Sequence, residues 1–205
     1  MIKRGKFWLP SEDNHFNGAD YQVPHRKESI SHCDSFVAAI DIGAHVGTWA
    51  VDLQEHFFKV YAFEPVKEHI ECFKKNVDMS NVELFECALG DEAGDITLSY
   101  AQSGNSGTSA IDNNNDGEYK ASVCTLDSFQ FDCIDYMKID VEGYELQVLK
   151  GAADTIQRNR PVINVEIKKT CERFGYSQED ILTYLRKLGM NAVGRTVDDW
   201  VFKYV

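Results

Sequence analysis

The residues best suited to chemistry fall in two short stretches, Asp41-Ile-Gly-Ala-His-Val-Gly47 and Met137-Lys-Ile-Asp-Val-Glu-Gly-Tyr-Glu145, each at the end of a buried-strand pattern. In the first, Gly43 and Gly47 let the backbone turn tightly and approach a ligand, and the helix that follows offers unpaired N–H groups to an anionic end. Glu64 stands 21 positions after Gly43, at the end of the next strand pattern. An acidic side chain there can accept hydrogen bonds from ribose hydroxyls.

A dinucleotide fingerprint would place a glycine at the middle of this turn to admit a pyrophosphate, and here that position is His45. A side chain at that point argues against NAD and FAD. It leaves room for a nucleoside carrying a small amino-acid tail, which is the chemistry of S-adenosylmethionine. The alternative is a tight strand-to-helix connection without ligand, in which His45 packs or caps locally.

In open α/β sheets the ligand crevice lies outside the carboxyl ends of the strands, at the switch point, so Asp140 is expected to face the same crevice as Gly43. Glu142 follows on the loop, and Glu166, in Asn164-Val-Glu-Ile167, takes the equivalent rim of the next strand. Three converging carboxylates could position a substrate hydroxyl, take its proton, or hold a hard cation such as Mg²⁺. They could equally cap helices and pair with Lys138 or Lys168. A divalent metal is compatible with this set, but no spacing demands one.

The elements that must position these groups read as alternating short β-branched runs and amphipathic stretches, the pattern of an α/β sheet. Strands are expected at 36–42, 59–63, 82–87, 95–100, 119–124, 133–139 and 161–167, the first of them fully buried. Helices are expected at 48–57, from Pro65 to 77, at 144–157, and after Ser177-Gln-Glu-Asp180, where Asp180 stands at the capping-box position. The chain then closes as a hairpin, 190–193 with 200–205, giving a parallel sheet with an antiparallel edge. Lys6 to Leu9 reads as a strand and Ser11 to Gln22 as loop. The polar stretch from Ala101 to Glu118 reads either as a plain mobile connection or as a substrate lid, the part around Asn105-Ser-Gly-Thr-Ser109 being the piece suited to close over a site.

The 205 residues suffice for one sizeable core, and 43% hydrophobic with 26% charged residues is an ordinary globular composition. Residues 1–35 read as an N-terminal extension on the substrate side and 36–205 as the cofactor-binding domain. The formal charge of −12 would repel phosphate backbones and anionic lipid, which excludes nucleic acid and membrane surfaces as expected partners. No apolar run approaches the ~20 residues of a membrane span, and no signal-peptide core follows Met1, so a cytoplasmic protein is expected. The six cysteines show no C-x-x-C pair and read as small buried residues in a reducing compartment.

Taken in order, Asp41-Ile-Gly-Ala-His-Val-Gly47, Ala62-Phe-Glu-Pro65, Ala88-Leu-Gly-Asp91, Thr125-Leu-Asp127, Lys138-Ile-Asp-Val-Glu-Gly-Tyr-Glu145 and Leu149-Lys-Gly-Ala152 resemble the FkbM family of S-adenosylmethionine-dependent methyltransferases. The resemblance runs from about residue 37 to 167. It implies a Rossmann-like class I methyltransferase fold, a mostly parallel seven-stranded sheet with an antiparallel C-terminal strand and helices on both faces. It implies methyl transfer to a hydroxyl of a small molecule or sugar. By motif position, Asp41, Gly43 and Gly47, with Ala44 and His45 between them, would hold the methionine end of S-adenosyl-L-methionine. Glu64 and Pro65 would border the ribose, Glu86, Ala88 and Leu89 the adenine, and Asp140 the centre of the crevice. Two features depart from the family: His45 stands where Asn is frequent, and the N-terminal Tyr21-Gln-Val-Pro24 matches only loosely.

Asp140 or Glu142 is the candidate for orienting or deprotonating the acceptor, with His45 third. A non-catalytic binding module that keeps the fold is the competing reading. A nicotinamide-dependent oxidoreductase lacks a Tyr-x-x-x-Lys hydride-transfer partner.

Overall fold

Every residue of the stretch 38–42 is buried, so its strand has no face for solvent and belongs at the centre of a covered parallel sheet. The computed structural model, which describes residues 1–16, 23–112, 117 and 119–204, puts it there. In chain order the elements are β1 (Ile2–Arg4), β2 (Phe7–Leu9), α1 (Val23–Ile30), β3 (Ala38–Ile42), α2 (Ala50–His56), β4 (Lys59–Phe63), α3 (Lys67–Asn76), β5 (Val82–Phe85), β6 (Ala88–Leu89) and β7 (Gly94–Tyr100). There follow β8 (Ser109–Ile111), β9 (Tyr119–Cys124), β10 (Ile134–Ile139), α4 (Glu145–Lys150), α5 (Ala153–Asn159), β11 (Val162–Glu166), α6 (Gln178–Lys187), β12 (Met190–Arg195) and β13 (Asp199–Tyr204).

The main sheet runs β12-β13-β11-β10-β3-β4-β5. The five strands from β11 to β5 are parallel, and β13 lies antiparallel between β11 and β12. This is the Rossmann-like class I methyltransferase architecture, a mostly parallel seven-stranded sheet with an antiparallel C-terminal hairpin, flanked by helices. A second sheet, β6-β9-β7-β8, follows β5. One face of the main sheet packs Phe63, Met137, Leu149, Ile156 and Leu185 together, and the other packs Leu53, Phe57, Phe73 and Tyr136. Each such buried side chain stabilises the fold by about 1.5–3 kcal/mol.

The first parallel strand starts later than its apolar run suggests, because Phe36 and Val37 are 43% and 46% exposed. The helix expected over 144–157 is two helices. At Gly151 a Cβ would lie 1.9 Å from the carbonyl oxygen of Gly90, so the main chain of residue 90 occupies the break. Asp127 restarts the helix from outside it, accepting from the N–H groups of Thr155 at 2.8 Å and Asp154 at 3.1 Å. At Ser177 the capping box forms as expected, with Asp180 completing it.

The N-terminal segment is more ordered than its composition suggests. Phe7–Leu9 pairs with Ile2–Arg4, and Phe7 and Leu9 pack on Val46 and Cys72. Helix α1, which has no helical apolar pattern, is held by the buried Arg26 on Asp52 and by Ser29 hydrogen-bonded to the Tyr136 hydroxyl at 2.8 Å. Of the loop reading for 11–22 and the Tyr21–Pro24 segment, residues 17–22 lie outside the described residues. So do 113–116 and 118 of the polar stretch. The cysteines are free; Cys72, Cys87 and Cys171 are buried as expected, but Cys133 is exposed in the bend before β10. Among the described residues no helix is long and apolar enough to cross a membrane.

Gly43 has φ +75°, and a Cβ there would lie 1.8 Å from the carbonyl oxygen of Asp140. Gly43→Ala is therefore expected to lower stability by about 2–5 kcal/mol, read as a shifted denaturant midpoint at unchanged slope. An unchanged midpoint would contradict the packing described.

Candidate functional site

β3 and β10 run side by side and end together, with Ile42 opposite Ile139. Beyond them the Asp140 N–H donates to the Ile42 carbonyl at 3.1 Å, and the Lys138 ammonium donates to the Gly43 carbonyl at 2.9 Å. On the other side the N–H groups of Gly43 and Ala44 both reach the Phe63 carbonyl, at 3.1 and 3.0 Å. Gly47, at φ +91°, leaves its Cβ space to Val77 of the segment after α3, whose Cγ2 would be 2.4 Å away. Both glycines thus serve close approach within the protein itself, in addition to whatever they offer a ligand.

The turn, the strand ends and two loops enclose a cavity of about 510 Å³, within the range of ordinary small-molecule sites. Gly43, His45, Glu64, Pro65, Ala88, Leu89, Asp140 and Glu142 all line it. Four residues singled out in the sequence do not. Asp41 is wholly buried beneath the turn, 3.6 Å from Lys138 Nζ. Ala44 packs into the core, Gly47 packs on the α3 side, and Glu86 points outward to pair with Lys74 at 2.6 Å.

Glu64 is only 4% exposed. Its Oε2 accepts from the His45 N–H at 2.8 Å, and its Oε1 accepts from the Val66 N–H at 2.9 Å and from His69 Nδ1 at 3.0 Å. Burial raises the carboxyl, but His69 and the Val66 amide outweigh it and hold Glu64 below its ordinary value. With two donors on Oε1 and one on Oε2, one Oε2 lone pair remains for a hydroxyl.

The rim carboxylates share one small volume: ligand atoms of Asp140, Glu142 and Glu166 all lie within 4.8 Å of one another. That is close enough to hold a hard divalent cation. Positive charge is already supplied there by Lys168, 2.6 Å from Glu166 Oε2 and 3.5 Å from Glu142 Oε1, and by Lys138, 3.4 Å from Asp140 Oδ2. Burial and the charge of Asp140 push Glu166 up to about 10, so at neutral pH it carries a proton. Burial also raises Asp140, but Lys138, Lys168 and a hydrogen bond with Glu166 overcome it and keep Asp140 ionised. Glu142 is raised by burial and by Asp140.

Sequence reasoning found only part of the outer wall, the 105–109 stretch. Asp13, His15 and Phe16 join residues 105–111 around the cavity mouth. Ser106 donates its hydroxyl to Asp13 Oδ2 at 2.5 Å and lies 2.8 Å from His45 Nε2. His45 sits at φ +51°, and its ring is 4.5 Å from that of His69, which in turn reaches the Tyr100 hydroxyl at 3.2 Å. Burial, followed by the neighbouring His69, lowers His45 to about 3, so the ring is neutral. Of this wall, only the 105–109 stretch had a signal in the sequence, its small polar residues; Asp13 and His69 carry none.

A family model described as "Methyltransferase FkbM domain" matches residues 41–191. Methyltransferase 1 of the fungus Beauveria bassiana is 25% identical over 150 residues, 59% of each chain. A crystal structure of a methyltransferase FkbM from Methylobacillus flagellatus superposes with a TM-score of 0.57 at 16% identity, over 82% of this chain and 44% of that one. The chain therefore spans little more than half of the first relative and less than half of the second. The N-methyltransferase NodS of Bradyrhizobium japonicum, solved with S-adenosyl-L-homocysteine, gives a TM-score of 0.53 at 12% identity, covering 91% of this chain and 87% of that one.

Behind the rim, Glu145 is buried with Oε1 accepting from the Gly143 N–H at 2.8 Å and Oε2 without a hydrogen-bond partner. Burial lifts it to about 7. The folded state therefore holds this proton more tightly than the unfolded chain, and stability falls as pH rises from about 4.5 through 7. Glu145→Gln, which mimics the protonated acid, is expected to flatten that fall and to add on the order of 2–3 kcal/mol at pH 8. Denaturation midpoints at pH 5 and pH 8 check it; equal pH dependence in both proteins would contradict it.

Proposed function

The chain belongs to the FkbM methyltransferase family and has the S-adenosylmethionine-dependent methyltransferase fold, and from that premise we propose that it is an O-methyltransferase. It binds S-adenosyl-L-methionine against the 43–47 turn and methylates a hydroxyl of a small molecule or sugar. The observation that carries this reading is the meeting, in one cavity, of the Gly43–His45 turn, Glu64 and the Asp140 rim.

The residues present fit the cofactor. Glu64 keeps one lone pair for a ribose hydroxyl, and Phe63, Ala88, Leu89 and Val141 give the cavity an apolar wall suited to a nucleobase. His45 stands where a pyrophosphate would need a glycine. When bound, the cofactor supplies a methyl group already activated on a sulfonium, so the protein's part is to orient the acceptor and relieve it of its proton.

Asp140 is the group for that task. It is ionised, 30% exposed at its side chain, and aimed with Glu142 and Glu166 at the crevice. A hydroxyl oxygen that gains a methyl group becomes strongly acidic, so a carboxylate held at low basicity is sufficient to receive its proton. Lys138 and Lys168 keep Asp140 charged before the reaction, and protonated Glu166 hydrogen-bonds the same carboxylate and fixes its orientation. The acidic chain as a whole suits a neutral or cationic acceptor better than a polyanion.

Methyl transfer from labelled S-adenosylmethionine to a panel of hydroxylated small molecules and sugars tests the proposal. With an accepted substrate, Asp140→Asn is expected to lower kcat by about 10²–10⁴-fold with a much smaller change in S-adenosylhomocysteine affinity. Cofactor binding with no transfer to any acceptor would favour the non-catalytic module instead.

A further inference from the structure

Asp13 and Ser106, neither of which carries a motif, form a hydrogen-bond chain that ends on the ring of His45. Both are buried, each only 3% exposed. Asp13 accepts from the N–H groups of Phe16 at 2.9 Å, His15 at 3.2 Å and Ser106 at 3.0 Å, besides the Ser106 hydroxyl at 2.5 Å. Burial raises its carboxyl, but these four donors outweigh that and keep it below its ordinary value. An ionised carboxylate only accepts, so the Ser106 hydroxyl hydrogen is committed to Asp13. The Ser106 oxygen can then only accept from His45 Nε2, 2.8 Å away.

The direction of every proton in the chain follows. His45 donates from Nε2, and since the ring is neutral its Nδ1 carries a lone pair. The groups around the ring are His69, Glu64, Asp13 and Lys138, and none of them reverses this order. The two loops that carry the chain are stitched to each other: Asn14 N–H donates to the Gly104 carbonyl at 2.8 Å, and His15 Nδ1 lies 3.0 Å from the same oxygen. Ser106 is thereby held in register over the turn.

We propose that Asp13 and Ser106 are positioning residues that hold His45 as its Nε2–H tautomer, so that Nδ1 accepts a hydrogen bond from the ammonium group of the cofactor's amino-acid tail. This rests on the reading that the cavity takes S-adenosylmethionine. The chain of donors from Nε2 to Ser106 to the Asp13 carboxylate also polarises the ring and strengthens Nδ1 as an acceptor. With the opposite tautomer, Nδ1–H would face a cationic donor and repel it.

Long-range proton–nitrogen NMR of the full chain labelled at histidine reads the tautomer directly, with His45→Gln assigning the signals. The wild type is expected to show Nε2 protonated and Nδ1 bare, with Nδ1 shifting when S-adenosylhomocysteine is added. Ser106→Ala is expected to give mixed tautomers and about three- to tenfold weaker S-adenosylhomocysteine binding. Ser106→Thr, which keeps the hydroxyl, restores both, and Asp13→Asn, which removes the obligate acceptor, repeats the loss of tautomer preference. A wild-type Nδ1–H tautomer would overturn the proposal. So would a Ser106→Ala protein that is less stable yet keeps the wild-type tautomer, since the contact would then be structural only. The Nε2–H tautomer in a wild type that binds no S-adenosylhomocysteine would uphold the positioning chain and defeat the cofactor reading.

Discussion

No side chain can stand at position 43, because the space its Cβ would take is filled by the carbonyl oxygen of Asp140. Two adjacent parallel strands end in register there, and the turn leaving one crosses directly over the main chain leaving the other. The consequence is distance control. The face of the turn that carries His45 and the carboxylate of Asp140 become walls of one cavity because their backbones touch. Lys138 reinforces the junction by donating to the Gly43 carbonyl from the end of β10, two residues before Asp140. Had position 43 been alanine, the turn would have to lift off the rim and the two halves of the site would separate.

The same junction concentrates charge where water is scarce. Asp41, buried without a hydrogen-bond partner, is raised to about 6 by burial against the opposing pull of Lys138, and it lies directly below the site. Asp140, Glu142 and Glu166 add three carboxyls, faced by Lys168 and, beside Glu142, by Arg173. Such a group cannot all be ionised in a low dielectric, and one proton stays on Glu166. An ionised Asp140 beside a protonated Glu166 is therefore a product of crowding: Glu166 spends its one O–H on Asp140, and Asp140 stays an acceptor on the rim.

What the sequence made legible follows from how local each cause is. The parallel strands are short apolar runs with breaks after them, and β4, β10 and β11 lie within a residue of where that pattern puts them. Gly43, Glu64 and Asp140 could be located because each ends such a run. The division between α4 and α5 could not, since its cause is the main chain of Gly90 pressing on Gly151, a contact with no local trace. The family resemblance puts Glu86 on the adenine side, yet only the fold decides that it turns outward to Lys74. Asp13 is the furthest from legibility: it reaches the site through Ser106, 93 positions away, and a lone aspartate in a polar loop announces nothing. Motif positions give the inner wall of the site, the small polar residues of 105–109 mark part of the outer one, and tertiary contacts alone give the rest.

The central claim is that the cavity where the Gly43 turn meets the Asp140 rim is a cofactor site for S-adenosylmethionine. Calorimetric titration of the purified chain with S-adenosylhomocysteine, in parallel with a Glu64→Ala protein shown to unfold cooperatively, tests it most directly. The account predicts one site per chain with a Kd of about 1 μM, near −8 kcal/mol, weakened by about 1–3 kcal/mol when the carboxylate is removed. No heat of binding in the wild type, or binding that Glu64→Ala leaves untouched, would contradict it.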